Sequence, residues 1–457
     1  MLPTPWSLFA AICLLALRGL SSVHADAFAD EQAAILVRVK APQFAPHDFP
    51  VTDFGASANA DCTEAITKAT AACHAAGGGR VVIPQGVWLT GAIHLKSNVN
   101  LHLAEGATLR FSPEPAKYLP VVHTRFEGIE CMNYSPLVYA FEQENVAITG
   151  KGTLDGSANW ETWWAWNDKS KGQPRWQVAA RKKLDQQGAD GVPVAERVYG
   201  EGHFLRPNFI QPYRCKNVLI EGVTIINSPM WQIHPVLCTN VTVRGVTVRS
   251  LGTNNDGCDP ESCRDVLIED CIFETGDDCI AIKSGRNNDG RRVGVPSENI
   301  VIRRCTMKDG HGGVTMGSEI SGGVRNVFVS DCKMDSPNLD RAIRFKSNAV
   351  RGGVIENIHI RDVQIGQVEK AVLSIEFDYE EGANGPHQPT LRDVRIENVT
   401  SKSSGSVAIV TAFPGAVIEG VRLKDCTFRG VEGADVLNYS GSLTFENVTI
   451  ERAKNRK

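Results

Sequence analysis

Carboxylates, an imidazole and basic side chains recur through the middle of the chain at intervals that a repeating fold could align. The motifs are Asn-Asn-Asp-Gly at 254–257, Gly-Asp-Asp-Cys at 276–279, Gly-His-Gly at 310–312 and Arg-Phe-Lys at 344–346. Neighbouring carboxyl groups can share acid and base catalysis, an imidazole can tune them, and cations bind an anionic substrate. Gathered on one surface, these groups predict hydrolysis of an acidic sugar polymer.

These motifs lie within a repeated sequence unit, which we call the phrase, and its repetition would bring them together. Each copy is a polar residue followed by two short runs of alternating apolar residues. The copies begin 23 to 36 residues apart, at Asn217, Asn240, Asp265, Asn299, Asn326, Asn357, Asp393 and, more weakly, Gly420. Alternation with a period of two indicates strands with one buried face. Short strands at this spacing, without long helical patterns between them, predict an all-β fold, a right-handed parallel β-helix.

The cysteines support this fold. One inward-facing position, the seventh of the phrase, holds either cysteine or valine, at Cys271, Cys305, Cys332 and Cys426 and at Val223, Val246, Val363 and Val399. Cysteine at such a position behaves as a small buried apolar residue. We therefore expect stacked free thiols, with a disulfide framework as the alternative.

The register of the repeats predicts a stripe of functional groups. Asp277 and His311 both lie 12 residues after the start of their phrase, so they should be neighbours about 5 Å apart on adjacent coils. Asp256 lies one coil earlier. Lys283 and Arg344 share an offset of 18 and should align two coils apart. Alternation with buried neighbours turns Lys283, Arg344 and Lys346 away from the core. Each motif alone is also a common turn or surface sequence, and it is their alignment that favours a site.

The overall charge excludes one class of partner. The 48 basic and 52 acidic residues give a net charge of −4, so there is no global basic field for nucleic acid. Residues 6–17 are apolar except for Ser7 and are too short to span a bilayer, and Val23-His24-Ala25 offers a cleavage site. We interpret 1–25 as a signal peptide, with an uncleaved anchor as the alternative. Residues 26–457 are then one exported β-helix domain, periplasmic or secreted, with no membrane association and expected to be a monomer.

Two segments interrupt the strand pattern. An Ala-rich helix with Thr63 as N-cap, ended by glycines at 77–79, should cover the open end of the solenoid before a first strand at 81–83. A polar stretch at about 167–206 is predicted to be an insertion between coils. The tryptophans before it, Trp160, Trp163, Trp164 and Trp166, could stack on sugar rings or pack beneath the insertion.

The four motifs resemble the signatures of glycoside hydrolase family 28, the polygalacturonases, in the same order and at similar spacing. Asp-Phe-Gly at 53–55, Gly-Gly-Gly-Arg at 77–80 and Ser-Pro-Met-Trp-Gln-Ile-His at 228–234 also resemble segments of that family. The resemblance spans roughly 50–450. One departure is Asn255, which stands where the family has Thr.

The resemblance implies an inverting hydrolysis of α-1,4-linked galacturonate in pectic polysaccharide or oligogalacturonate. Asp277 would protonate the leaving oxygen, Asp256 and Asp278 would activate water, and His311 would tune the acid. The residues expected to bind substrate are Asn254, Lys283, Arg286, Arg344 and Lys346. No metal or other cofactor is expected.

The basic loop 286–296 resembles that of exo-acting bacterial members. It could wall off one end of a groove, with Arg286, Arg291 or Arg292 gripping a terminal galacturonate, and segment 377–381 could form the other wall. We expect exo action. Endo action and a rhamnogalacturonan or xylogalacturonan substrate remain alternatives, as do a calcium-dependent pectate lyase, a pectin methylesterase and a non-catalytic glycan-binding β-helix.

Overall fold

The alternating phrases form short parallel strands. The computed structural model describes residues 27–167 and 176–453. Within those ranges thirty-six strands, β1 to β36 in chain order, span Asp48–Pro50, Gly79–Ile83, Gly86–Thr90, Ile93–His94, Val99–Leu103, Ala107–Phe111, Val122–Phe126, Ile129–Asn133, Val138–Phe141, Glu144–Gly150, Thr153–Asp155, Ile210–Tyr213, Lys216–Glu221, Thr224–Ile226, Thr239–Arg244, Thr247–Ser250, Arg264–Glu269, Ile272–Thr275, Ile280–Ile282, Ser297–Arg303, Thr306–Met307, Val314–Met316, Val324–Ser330, Lys333–Met334, Arg341–Lys346, Val354–Arg361, Gln364–Gln367, Ala371–Glu376, Thr390–Glu397, Thr400–Ser403, Ser406–Thr411, Val417–Lys424, Thr427–Val431, Val436–Asn438, Leu443–Glu446 and Thr449–Arg452.

The strands stack in long parallel sheets. One sheet runs β1-β2-β5-β10-β13-β15-β17-β20-β23-β26-β29-β32-β35, and a second runs β3-β6-β11-β14-β16-β18-β21-β24-β27-β30-β33-β36. A third face is built from β12-β9-β4 and from β19-β22-β25-β28-β31-β34. Only the β7–β8 hairpin among the described strands is antiparallel. The predicted parallel β-helix is confirmed, and its third face carries the predicted motifs.

The backbone conformation explains which residue types begin each phrase. From Asn217 through Gly420, every predicted phrase start has a positive φ, between 52° and 63°. Asn, Asp and Gly tolerate this left-handed conformation better than other residues. Several of the side chains also hydrogen-bond along the stack: Asn240 Nδ2 donates to Asn217 Oδ1 at 2.7 Å, and Asn326 Nδ2 to Asn299 Oδ1 at 3.0 Å.

The inward position of the phrase is buried as predicted. Cys271, Cys305, Cys332 and Cys426 are at most 1% exposed, and the valines at the equivalent position belong to the same core. All twelve cysteines of the described residues are free thiols. The cysteines therefore pack as apolar side chains, and the disulfide alternative is wrong for this part of the chain.

Within the described residues, four α-helices accompany the solenoid: α1 (Ala27–Arg38), α2 (Thr63–Ala75), α3 (Trp176–Ala189) and α4 (Asn287–Val293). Helix α2 packs on β1, β2 and β5 at the amino-terminal end of the solenoid, as predicted. Two details differ. Cys62 is the N-cap, while Thr63 is the first helical residue and binds Asp61 Oδ1 through both its amide and its hydroxyl. The first strand is β1, which pairs with β2 and was missed because it is only three residues long.

The described part of the chain between β11 and β12 is partly helical. The stretch predicted as an insertion contains α3 and the 3₁₀ helix Val194–Glu196 among its described residues, and a further 3₁₀ helix, Trp163–Asn167, leads into it. The predicted signal peptide lies outside the described residues. In the part of the chain that the structure covers, none of the helices combines the length and the apolar character needed to cross a membrane.

The register of the third face corrects one predicted alignment. Ala281 pairs with Thr315, which pairs with Arg344. Lys283 therefore lines up with Lys346, two coils away, rather than with Arg344. The reason is a longer turn: Ile343 lies 17 residues after its phrase start at Asn326, whereas Ile280 lies 15 after Asp265.

Candidate active site

Three aspartates meet where successive coils of the third face begin. One carboxylate oxygen each from Asp256, Asp277 and Asp278 lies within 4.8 Å of the others. Cys258 pairs with Ile280 on the next coil, so Asp256 lies beside Asp278, one coil before it. Asp256 and Asp278 are buried, while the side chain of Asp277 is 18% exposed. Asp277 is thus the member of the trio that is most open to solvent.

The Gly-His-Gly motif is shaped by the aspartates beneath it. Gly310 has φ 140°, and a Cβ there would lie 2.3 Å from the carbonyl oxygen of Asp277. A Cβ on Gly312 would lie 2.8 Å from Asp278 Oδ1. Glycine at both positions lets the next coil close on the trio and presents His311 beside Asp277.

The predicted neighbours on adjacent coils are in contact. His311 Nδ1 lies 3.0 Å from Asp277 Oδ1, and the amide of Asp278 donates to the same oxygen. The hydrogen bond to Asp277 is the main reason that the pKa of His311 is raised to about 8. The imidazole is therefore protonated at neutral pH and places a positive charge at the exposed edge of the trio.

Two cations hold Asp278 in its ionised form. Lys346 Nζ donates to Asp278 Oδ2 at 2.6 Å, and Arg344 Nη1 lies 3.5 Å from Asp278 Oδ1. Burial alone would raise the pKa of Asp278, but the charges of Lys346 and Arg344 outweigh burial and hold the pKa well below its usual range. Asp278 is therefore a carboxylate that can accept a proton.

Asp256 has the opposite electrostatics. Burial and the neighbouring carboxylates of Asp277 and Asp259 raise its pKa well above the ordinary value, although Lys283 Nζ lies 3.5 Å from Asp256 Oδ2. Lys283 is shared with Glu319, whose Oε2 lies 3.2 Å away, and its ammonium lies 4.3 Å from the centre of the Trp231 ring. Closely packed carboxyl groups resist ionising together, so the trio retains a proton.

The Arg-Phe-Lys strand is backed by a second acid and an aromatic ring. Arg344 Nη2 donates to Glu376 Oε2 at 2.6 Å. The ring centre of Tyr379 lies 5.9 Å from the guanidinium carbon of Arg344 and 5.4 Å from Lys346 Nζ. Both cations line the groove over the trio and are directed away from the core, as predicted, yet both are at most 7% exposed.

The loop before Asp256 is held by amide hydrogen bonds. Asn255 is fully buried, and it accepts from Ser250 Oγ at 2.6 Å and donates to the carbonyl oxygen of Ser228 at 3.0 Å. Asn254 accepts from Arg206 Nη2 at 2.7 Å. Asn255 therefore shapes the turn and does not face the groove, whereas Asn254 lines it.

A groove of about 780 Å³ lies over the trio, within the usual range for small-molecule sites. Seven of the predicted site residues line it: Asn254, Asp256, Asp277, Lys283, His311, Arg344 and Lys346. Asp278 lies beneath them, in contact with Arg344 and Lys346. Of the four tryptophans 160, 163, 164 and 166, only Trp160 lines the groove, and it is 45% exposed. Trp163, Trp164 and Trp166 pack against the core.

The basic loop is arranged differently from the prediction. Arg286 is 3% exposed and is not among the described residues that line the groove, because Glu127, Asp185, Glu319 and Glu380 surround it at 3.2–3.7 Å. Arg291 donates to the carbonyl oxygens of Val350 and Arg351, and Arg292 pairs with Glu130 and Asp289. These three arginines hold the wall together from behind.

The two predicted walls are one. Arg286 Nη2 lies 3.5 Å from Glu380 Oε2, so segment 377–381 and the basic loop meet on the same side of the groove. Helix α3 joins them through Arg181, which pairs with Glu380 at 3.2 Å. The sequence pattern could not show this, because the partners lie up to 199 residues apart.

Residues 73–449 match the profile described as Glycosyl hydrolases family 28. This chain belongs to that family. Family 28 membership confirms the resemblance of the four motifs and makes the protein a glycoside hydrolase.

Three other proteins illustrate how far the similarity extends along the chain. The crystal structure of a hyperthermoactive exopolygalacturonase from Thermotoga maritima is 45% identical, covers 93% of this chain and 96% of that one, and has a TM-score of 0.90. A probable polygalacturonase of Vitis vinifera is 27% identical over 77% of this chain and 67% of its own length. An exo-poly-alpha-D-galacturonosidase of Dickeya chrysanthemi is 26% identical over 79% of this chain and 63% of its own length.

Several groove residues of this family 28 protein escaped the sequence analysis. They are Glu319, Trp231, Tyr379, Arg181, Asp340, Arg341 and Lys370. Trp231 lies in segment 228–234 and Tyr379 in segment 377–381, but nothing in the sequence indicated that either ring contacts a cation. Arg181 lies on a helix that the polar insertion did not reveal.

The trio has the spacing of a cation site, but the protein's own cations already occupy its surroundings. Three carboxylate oxygens within 4.8 Å could hold a hard metal ion. Lys346 Nζ and Lys283 Nζ lie 2.6 and 3.5 Å from two of these carboxylates. A divalent ion there would face two ammonium groups at close range, so the residues fit protonic chemistry better than metal binding.

Proposed function

We propose that the protein is an exo-acting polygalacturonase that hydrolyses α-1,4-galacturonosidic bonds of pectic polysaccharide and oligogalacturonates. The observation that carries this proposal is the aspartate trio at the base of a groove, flanked by Arg344, Lys346 and Lys283. Carboxyl groups supply the acid and the base for glycoside hydrolysis, and the cations match the carboxylate on every sugar of the substrate.

The acid and base roles follow from exposure and charge. Asp277 is the exposed member of the trio and faces the groove, so it would protonate the leaving oxygen. Asp278 is held ionised by Lys346 and Arg344 and would take a proton from the attacking water. Burial and the neighbouring carboxylates raise the pKa of Asp256, and Asp256 would orient this water together with Asp278.

Inversion is the stereochemistry that family membership suggests. Inverting enzymes commonly keep their two carboxyl groups about 6.5–9.5 Å apart, and retaining enzymes about 5–5.5 Å. The nearest oxygens of the trio lie within 4.8 Å, so inversion rests on the family and not on this spacing. Proton NMR of the first anomer released decides the point, and we expect the β-anomer.

The substrate carboxylate would be held by Arg344 and Lys346. A guanidinium offers a bidentate grip and an ammonium a point charge. Tyr379 closes over both side chains and would limit their movement. Lys283 would reach the same sugar from the side of Trp231, and Asn254 would contact a neighbouring hydroxyl.

Exo action is supported by the similarity to exo-acting relatives and by the wall built from α3, α4 and segment 377–381. The test is the product profile from polygalacturonate in EDTA, following reducing ends, the absorbance of unsaturated products and oligomer sizes together. Galacturonate as the sole early product supports the proposal. An early ladder of oligomers would show endo action, and unsaturated products would show a lyase.

A second test separates pectic substrates. Homogalacturonan, rhamnogalacturonan and xylogalacturonan are offered at equal galacturonate content, with Asp277→Asn as the blank. We expect the highest rate on homogalacturonan, because Arg344 and Lys346 would both bind a carboxylate and neither would favour a neutral sugar. A higher rate on either branched polymer would replace the substrate assignment.

We also propose that the protein is exported after removal of residues 1–25 and acts as a single β-helix domain and a monomer. The apolar run 6–17 and the Val23-His24-Ala25 site support export. Amino-terminal sequencing of the secreted protein should begin at Asp26. Light scattering after gel filtration should return the mass of one chain, and a larger mass would overturn the monomer.

A further inference from the structure

Helix α3 is attached to the solenoid on two sides of the groove. On the first side, Arg206 Nε donates to Gln177 Oε1 at 2.7 Å and Arg206 Nη2 donates to Asn254 Oδ1 at 2.7 Å. Asn254 lies two residues before Asp256. This end of α3 is therefore anchored to the loop that carries one member of the trio.

On the second side, α3 is held by ion pairs. Arg181 Nε lies 2.5 Å from Glu127 Oε2, at the turn of the β7–β8 hairpin, and Arg181 Nη2 lies 3.2 Å from Glu380 Oε1. One helical turn later, Asp185 pairs with Arg286 at 3.2 Å. The helix thus connects the trio's loop with the hairpin and with segment 377–381.

The face of α3 between these attachments borders the groove. Gln177, Val178 and Arg181 line it together with Asp256 and Asp277. Val178 is 40% exposed and has no polar atom for a sugar hydroxyl, so its contribution is to occupy space. This helix therefore forms part of the lining of the groove beside the trio.

Arg181 supplies two of the three ion pairs of the second attachment, beside the apolar contacts of the helix with the β7–β8 hairpin. Glu127 is buried, and burial raises its pKa, while Arg181 is the strongest of the charges that lower it. Arg286 also contacts Glu127 and Glu380 but lies behind them, away from the groove. Without Arg181, α3 keeps only the Asp185 contact on this side among the ion pairs of the described residues.

We propose that Arg181 is a specificity-determining residue: it ties α3 to Glu127 and Glu380, closes the groove beyond the trio, and so admits only the end of a galacturonate chain. The proposal rests on the exo activity proposed above. It predicts that the choice between chain ends and internal bonds depends on an ion pair within the wall, separately from the trio that performs the chemistry.

The experiment compares the wild type with Arg181→Ala, with Arg181→Lys, and with Lys182→Ala as the matched control. Lys182 is an exposed neighbour on the same helix, so its removal changes the net charge equally. On polygalacturonate, the loss of viscosity per reducing end formed is measured together with the sizes of the earliest products. Turnover of digalacturonate reports that the trio is intact.

We expect the loss of viscosity per reducing end to rise at least about tenfold in Arg181→Ala, with oligomers among the earliest products. Arg181→Lys should stay within about threefold of the wild type because it keeps the charge, and Lys182→Ala should match the wild type. If Arg181→Ala does not fold, Glu380→Gln removes one partner at constant size and should shift the products in the same direction.

The outcomes separate this proposal from the one on which it rests. A wild type that releases oligomers from the start overturns exo action and this inference with it. A wild type that releases only galacturonate, together with an Arg181→Ala variant that folds and does the same, overturns the role of Arg181 and leaves the exo proposal standing.

Discussion

The trio and the wall beside it are built in different ways. Asp256, Asp278 and His311 reach their positions through strand register, one coil upon the next, with close approach allowed by Gly310 and Gly312. The wall gathers Glu127, Arg181, Arg286, Glu319 and Glu380 from five separate segments and joins them by ion pairs. The solenoid thus fixes where the chemistry occurs, and the additions to it decide what can reach it.

The difference also appears in how the charges are balanced. Lys346 and Arg344 pair with Asp278, the proposed base, so their removal should alter the chemistry and its pH dependence. In the wall, Arg286 is enclosed by carboxylates that do not take part in the reaction, so its removal should alter stability and access. Variants in the two regions can therefore be distinguished by what they change.

The largest expected effect is that of Asp277→Asn. Loss of the proton donor should lower kcat on digalacturonate about 10⁴-fold, at the upper end for a general acid, while the melting temperature stays near that of the wild type. The matched control is Asp331→Asn, at an exposed turn whose positive φ suits asparagine. A variant that keeps more than a tenth of the wild-type kcat would remove Asp277 from the acid role.

Next in size is Arg286→Ala in the wall. Leaving Glu127 and Glu319 without this buried partner should cost about 3 kcal/mol of unfolding free energy. Urea unfolding measures this loss. The KM for digalacturonate should change less than threefold, because Arg286 does not line the groove. A large rise in KM with unchanged stability would instead restore the predicted grip on the substrate.

Lys346→Ala should lower kcat/KM about 100-fold, with a raised KM for oligogalacturonates because a cation for the substrate carboxylate is lost. The pKa of Asp278 is held low by Lys346, so base activity is present above that pKa and is lost as pH falls through it. Removing Lys346 raises this pKa, and the acidic limb of the kcat/KM profile moves to higher pH. Lys333→Ala, on an exposed strand, should shift neither quantity.

The smallest expected effect is that of His311→Gln, about tenfold in kcat. The pKa of His311 is raised to about 8, so its positive charge is present below that pH and is lost as pH rises through about 8. The wild type should therefore lose activity over this range, and the variant should lack that alkaline limb. His47→Gln, at an exposed site before β1, should keep it. If the pH profile of His311→Gln is the same as that of the wild type, His311 does not tune the acid.

Much of the catalytic face could be predicted because it repeats. Asp277 and His311 were placed in contact by counting from Asp265 and Asn299, since parallel strands in register bring equal offsets together. The same counting misplaced Lys283, which aligns with Lys346, because the turn before β25 has two additional residues. Counting succeeds wherever the turns are of equal length and fails where a turn grows.

The sequence by itself determined the β-helix, its inward cysteines and the meeting of Asp256, Asp277, Asp278 and His311, because a period of two and a coil repeat are local properties that translate directly into register. Tertiary structure alone decided that Lys346 and Arg344 hold Asp278 ionised, that the two expected walls are one, and that Arg181 on α3 bridges Glu127 and Glu380. Those outcomes depend on burial and on contacts between residues up to 199 positions apart. Neither burial nor such distant contacts produce a periodic pattern in the sequence.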